Sequence, residues 1–302
     1  MPSMEGNALR AGLFAAFAAA AWGTTYVVTG ALLPPDRPLF SAAIRALPIG
    51  LVMLAWRREL PRGHWWWRTA VLALCTIGLF FPLLFLGAYL LPGGLASTLQ
   101  AASPLVVMAI AWPLLRERPT VLRVAAALIG LVGVALLVVR APSALAPWGV
   151  AAALASMAVS ALGFVLIKRW PPPTDMITMT SWQLVIGGLV LVPIALAVEG
   201  APPAIDAPAA LGYAWIAIAG TGVAYVCWFT GLQHLPAAVV SLIGLLNPVV
   251  ATVLGVVVMH EVFGPMQALG TGLVLASVLL GQPVIAQRLR RRRALRACPV
   301  VS

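Results

Sequence analysis

The residue of this chain with the most chemical potential is Arg45, which lies within an otherwise apolar run, residues 39 to 56. It sits about 9 Å along a helix axis from the near end of that run. A charge at such depth in hydrocarbon costs several kcal/mol unless it is paired or hydrated. A guanidinium also suits a carboxylate through two parallel hydrogen bonds. Two readings of Arg45 therefore stand side by side. In one it faces a central cavity and attracts an anionic group such as an amino-acid carboxylate. In the other it snorkels towards Asp36, or ties helix ends together through backbone carbonyls. The amides Gln100, Gln183 and Asn247 and the aromatics Trp22, Tyr26, Trp182, Tyr225 and Trp228 also fall inside apolar runs. Aromatic walls with a few placed polar groups suit a small-molecule site. Core packing or interfacial anchoring competes for each aromatic, and an interhelical hydrogen bond would satisfy each amide.

Catalysis is a poor fit. His64, His234 and His260 lie at the ends of apolar runs, with no H-E-x-x-H motif and no acid pair within a run, so neither a catalytic constellation nor a metal or cofactor site is assembled. Cys75, Cys227 and Cys298 stand at unrelated spacings and make no disulfide framework. No Asp or Glu lies mid-run to alternate between a proton and a cationic substrate, which argues against a small cationic-drug antiporter. Glu117 and Glu261 fall at run ends, where helix capping or loop packing is their plain role. A channel would need charged rings or a filter-like loop, and neither is evident.

The elements that must hold these residues follow from composition. Of 302 residues, 62% are hydrophobic and 9% charged, and the mean hydropathy is +1.01; a soluble domain carries about a quarter charged residues. Ten apolar runs of membrane-spanning length cover 9–31, 39–56, 67–90, 93–115, 120–139, 147–168, 176–198, 209–233, 235–259 and 264–286. They lack the dyad alternation of a β-barrel, and the first is too long for a signal-peptide core. With the N-terminus in the cytoplasm, sixteen of the nineteen Lys and Arg face inside, while only Arg37 and Arg140 face outside; that asymmetry fixes orientation and places both termini inside. The net charge of +11 is concentrated in the tail Arg288, Arg290, Arg291, Arg292, Arg293 and Arg296. Its juxtamembrane position points to anionic lipid rather than nucleic acid. Trp65, Trp66 and Trp67 beside His64 read as an interfacial aromatic belt.

The chain also repeats itself. An offset of 144 pairs Gly87, Leu91, Pro92, Ser97, Pro104, Val106 and Glu117 with Gly231, Leu235, Pro236, Ser241, Pro248, Val250 and Glu261. An offset of 138 aligns Pro34-Pro35 with Pro172-Pro173 and Gly50-Leu51 with Gly188-Leu189. Five spans per copy require the second copy to enter the membrane upside down, and loop charge does change sides. The basic loops 57–68 and 116–123 correspond to 199–208 and 260–267, which hold no Lys or Arg. The fold class expected is an all-α integral membrane protein of ten transmembrane helices in two inverted five-helix repeats, residues 1–142 and 143–287, with a basic cytoplasmic tail at 288–302. Inverted repeats are an architecture of secondary transporters, with the substrate site near the midplane between halves. Pro48, Pro82, Pro104, Pro113, Pro193 and Pro248 interrupt runs where a helix loses a backbone bond and can bend. The repeat mates Pro104 and Pro248, beside Ser103 and Asn247, are candidate hinges.

Across residues 9 to 286 the sequence resembles the drug/metabolite transporter superfamily, in the form with two EamA domains. The resemblance is carried by Trp22-Gly23-Thr24-Thr25-Tyr26, by Phe40 through Arg45, and by Ser103-Pro104 through Glu117, with Gln183, Asn247-Pro248 and Glu261 as second-half counterparts. It implies a basket-like ten-helix carrier, commonly an exporter of amino acids or other small metabolites. Gln183 stands where Arg45 would repeat and Ala126 opposite Gly270, so the halves are not equivalent. The expected function is alternating-access export of neutral or aromatic amino acids, with another metabolite or drug class as the alternative. Export of phosphorylated substrates would call for more intramembrane cations than one. The dominance of Arg over Lys and the abundance of Ala and Pro suggest a GC-rich genome and a bacterial plasma membrane.

Overall fold

The computed structural model describes residues 2–35, 37–90, 99–138, 146–259 and 264–282. Among these residues the secondary structure is helical, with no strand. Lipid offers no partner to the backbone, so a helix that bonds itself is the economical solution. The helices are α1 (Pro2–Leu32), α2 (Pro38–Arg57), α3 (Trp65–Ala73, continuing as Phe80–Leu90), α4 (Ser103–Leu115), α5 (Val121–Val138), α6 (Pro147–Arg169), α7 (Met176–Glu199), α8 (Ala207–Ala217, continuing as Ala224–His234), α9 (Ala237–Ile243, continuing as Leu246–Met259) and α10 (Pro265–Gly281). Seven are long and apolar enough to cross a membrane, and α4, α5 and α10 are shorter apolar helices. Large apolar side chains such as Leu13, Phe17, Val52, Leu211 and Val257 face outward. The chain is a multi-pass membrane protein.

Local chemistry sets the helix starts. Proline occupies the first turn of α2, α4, α6, α8 and α10, where its missing N–H would have been unpaired anyway. Asp175 caps α7 by accepting from the N–H groups of Ile177 and Thr178, and Asp206 caps α8 by accepting from that of Ala209.

Two long contacts organise the interior, α2 along α7 and α5 along α10. Both use small residues to bring backbones together. A Cβ on Gly50 would lie 2.9 Å from the Val185 nitrogen, and one on its repeat mate Gly188 would lie 2.9 Å from the Leu47 Cα. At the other contact, a Cβ on Gly133 would lie 2.9 Å from the Gly270 carbonyl oxygen, while the Ser277 hydroxyl donates to the Ala126 carbonyl at 2.6 Å. Around these, α1 packs on α8 and α9, and α6 packs on α3 and α4.

Two helices widen and two break. π-helical turns span Leu74–Gly78 in α3 and Ile218–Val223 in α8, at the positions that the 144-residue offset pairs. α4 is preceded by a turn at 101–102, and α9 is interrupted by a turn at 244–245. The proline ring clashes with the carbonyl four residues earlier, and Pro104 and Pro248 follow these turns closely. Tighter bonds bridge them, from Ala102 N–H to the Leu99 carbonyl at 3.0 Å and from Leu245 N–H to the Leu242 carbonyl at 3.1 Å.

Candidate functional site

A cavity of about 570 Å³ runs from the α1–α2 connection, at Leu33, Pro35 and Pro38, to the middle of α3, α6 and α9. α1 presents Trp22, Thr25 and Thr29 to it, α2 presents Ser41 and Arg45, and α3 presents Thr76, Phe80, Phe81 and Phe85. Ser160 and Phe164 of α6, Tyr225 of α8 and Asn247 of α9 close the deep end. The residues on α1, α2 and α3 recur at three-, four- and seven-residue spacings, so each helix offers one face.

Arg45 is 7% exposed and is fixed by the π turn of α8. Its Nε donates to the Thr221 hydroxyl at 2.8 Å and its Nη2 to the Gly220 carbonyl at 2.9 Å. The Phe81 ring lies 5.2 Å from its Cζ, a cation–π arrangement. Arg45 thus ties α2 to α8 through a backbone carbonyl and at the same time lines the cavity. Asp36, the alternative partner, lies outside the described residues.

A π turn shifts the helical ladder and exposes carbonyls to other donors, and both turns use this. The Gly220 carbonyl also accepts from Trp22 Nε1 at 3.0 Å. Its repeat mate, the Thr76 carbonyl, accepts from the Tyr225 hydroxyl at 3.2 Å. Gln183, the mate of Arg45, meets the turn of α3 in turn: its Oε1 accepts from the Thr76 hydroxyl at 3.1 Å. The two halves thus place one side chain of α2 or α7 on the π turn of the opposite half. One of those side chains is a cation and the other a neutral amide.

The remaining sequence candidates are spread more widely. Trp22 packs edge-on to Tyr225 with ring centroids 5.5 Å apart. Trp228 is 2% exposed and stands behind the wall, 5.0 Å from the Trp22 ring and 5.5 Å from that of Phe164. Gln183 is fully buried, and neither it nor Gln100, Trp182 or Trp228 lines the cavity. Gln100 donates to the Ser156 hydroxyl at 2.7 Å, and Trp182 donates to the Glu59 carbonyl at 2.7 Å, each holding helix to helix or helix to loop. The side chain of Tyr26 lies outside the described residues, as do Glu261, His260 and the arginine tail. Thr25, Ser41, Ser160 and the phenylalanines of α3 and α6 escaped the sequence reading because hydroxyls and Phe are ordinary in apolar runs. The helical spacing from Trp22 to Thr25 and from Ser41 to Arg45 was the signal available.

The opposite end of the bundle carries ion pairs. Lys168 at the end of α6 pairs with Glu117 at 2.7 Å, and Glu117 also accepts from the Ala237 N–H, capping α9, at 3.0 Å. Arg57 at the end of α2 pairs with Asp175 and donates to the Thr178 hydroxyl at 3.1 Å. Burial alone would raise the Asp175 carboxyl. The Thr178 N–H, the hydrogen bonds from Arg57 and Thr178 and the Arg57 charge outweigh it, holding the group below the usual carboxylate value. At the cavity end, Glu199 accepts from the N–H groups of Leu39 and Phe40 at 2.6 and 2.9 Å, capping α2.

Two stretches of the chain, residues 9–139 and 147–281, each match the EamA-like transporter family. The chain belongs to that family. As an EamA-family protein of the drug/metabolite transporter superfamily, it is a membrane transporter. It is 38% identical over 274 residues to Protein PecM of Dickeya dadantii, covering 90% of this chain and 92% of that protein. It is 28% identical over 280 residues to a chloroplastic WAT1-related protein of Arabidopsis thaliana, covering 86% of this chain and 66% of that protein. In fold it is similar to a protein of known crystal structure, with a TM-score of 0.80 and 21% identity over 92% of this chain and 98% of the other.

Proposed function

We propose that this transporter exports small organic metabolites, neutral or aromatic amino acids foremost, by alternating access of the aromatic cavity. The observation that carries the reading is the buried Arg45 guanidinium, anchored on the π turn of α8 deep in a wall of mainly aromatic, aliphatic and hydroxyl side chains, with a second guanidinium, Arg37, at the α1–α2 connection. Such a wall takes an apolar or aromatic body, and the guanidinium attracts a carboxylate. Trp22, Tyr225 and Asn247 join Arg45 as substrate contacts in this reading. Gln100, Trp182, Gln183 and Trp228 position helices around them.

The architecture proposed is ten crossings in two inverted halves, with α4, α5 and α10 spanning along with the seven longer helices. Support comes from the paired π turns, from the glycine mates Gly50 and Gly188, and from the family matching twice in tandem. The breaks before Pro104 and Pro248 would serve as bends when the halves rock. The bacterial plasma membrane is the proposed location, with both termini in the cytoplasm, so the cavity opens outward and the Lys168–Glu117 end faces the cytoplasm.

The test is export of labelled amino acids from preloaded cells or proteoliposomes, with the wild type and Arg45→Gln. Loss of a charge-assisted contact should raise the apparent KM for carboxylate substrates at least tenfold, by the usual worth of such bonds of roughly 1.5 to 3 kcal/mol. Unchanged export by well-folded Arg45→Gln would remove the substrate role, and no export of any amino acid by the wild type would remove the substrate class.

A further inference from the structure

The first turn of α3 holds an arginine in an aromatic enclosure that the transport reading does not use. Arg68 Cζ lies 5.5 Å from the Trp65 ring centroid, 5.7 Å from that of Trp67 and 5.4 Å from that of Trp170, which comes from the end of α6. The Trp67 and Trp170 rings meet edge-on at 5.2 Å. Aromatic faces stabilise a cation but leave its in-plane N–H groups unserved. The guanidinium has no hydrogen bond or ion pair among the described residues, and its Nε is buried without a partner. The acid nearest in sequence, Glu59, accepts from the Thr174 hydroxyl at 2.8 Å.

An unserved guanidinium at this place calls for an external acceptor. A guanidinium edge takes a phosphate through paired N–H bonds. Trp66 and Trp67 are each 52% exposed, and tryptophans at helix ends sit at headgroup level in a bilayer. Arg58 is exposed on the preceding loop and adds attraction for an anionic surface. Free phosphate would have no use for the exposed indoles, whereas a lipid covers them with its chains while its headgroup meets Arg68.

We propose that Arg68, Trp65, Trp67 and Trp170 form a binding site for the headgroup phosphate of an anionic phospholipid in the leaflet where α3 begins. The experiment uses the full-length protein in detergent. Binding of phosphatidylglycerol and of phosphatidylcholine is measured by native mass spectrometry and by thermal stabilisation, for wild type, Arg68→Gln, Arg68→Lys and the control Arg62→Gln. The wild type should prefer phosphatidylglycerol. Arg68→Gln should bind it about tenfold more weakly, Arg68→Lys should fall between, and Arg62→Gln should stay near wild type. Equal binding by Arg68→Gln and wild type overturns the site. Displacement of the lipid by millimolar inorganic phosphate overturns the lipid assignment. If Arg68→Gln fails to fold, a phosphatidylglycerol carrying a photoreactive headgroup, applied to the wild type, decides the question. Crosslinks on the peptides containing Trp67 or Trp170 support the site, and crosslinks confined to the arginine tail overturn it.

Discussion

At the scale of the residue, charge in this molecule works through the backbone. Arg45 rests on a carbonyl and a hydroxyl of α8, Glu117 and Glu199 cap helices in other parts of the chain, and Asp175 serves both its own helix and Arg57. Asp175 carries a pH prediction. Its carboxyl titrates lower in the folded state than the roughly 3.9 of an unfolded chain. Its contribution to stability is therefore complete above the unfolded value and is lost as pH falls through the folded one. Thermal melts of wild type and Asp175→Asn should differ by a constant margin above about pH 5, by the same reference value, and converge on acidification; a margin that grows on acidification would contradict this. Arg45 was legible in the sequence because a charge in an apolar run has few explanations. Its anchoring on Thr221 and Gly220 was not, because a partner 175 residues away in the chain leaves no local trace. Gln183 was legible as the mate of Arg45, but as a residue of the cavity wall it was misplaced: the α3 turn engages it behind the wall.

At the scale of the element, hydropathy located the helices, since apolar length is what the bilayer selects. It could not locate the π turns, because one inserted residue scarcely disturbs a pattern that is apolar on every face. The breaks before Pro104 and Pro248 were closer to the surface of the sequence, as proline must displace the carbonyl four residues before it. Replacing both prolines with alanine lets the ladder close across residues 101–102 and 244–245. The expected outcome is a kcat for export reduced several-fold at nearly unchanged KM, in proteoliposomes, with equal or higher thermal stability. The gain should come chiefly at position 248, since a Pro inside a helix disfavours it by about 3 kcal/mol, whereas Pro104 stands in a first turn. Wild-type kcat in the double variant would show that the bends take no part in transport.

At the scale of the whole molecule, one end holds the mouth of a cavity and the other carries the ion pairs Lys168–Glu117 and Arg57–Asp175. The proposed orientation rests on the arginine count of the loops, and the same count puts the proposed opening on the outer side. A Thr29→Cys variant, with Cys75, Cys227 and Cys298 replaced by serine, should be labelled by a membrane-impermeant maleimide in whole cells and protected in inside-out vesicles; the opposite pattern would reverse the orientation. The duplication was legible in identities such as Pro104 with Pro248. How the copies interlock needed coordinates, because the 144-residue offset pairs positions without saying which helices touch. That interlocking has a practical side. The widened turns of α3 and α8 are met differently: the Gly220 carbonyl accepts from Arg45, whereas the Thr76 carbonyl accepts from Tyr225 and Gln183 meets the Thr76 hydroxyl. The pathway's charge is thereby committed to one side: an arginine at position 183 would meet its π turn behind the cavity wall, so exchanging the two side chains would withdraw the cation from the pathway rather than carry it across.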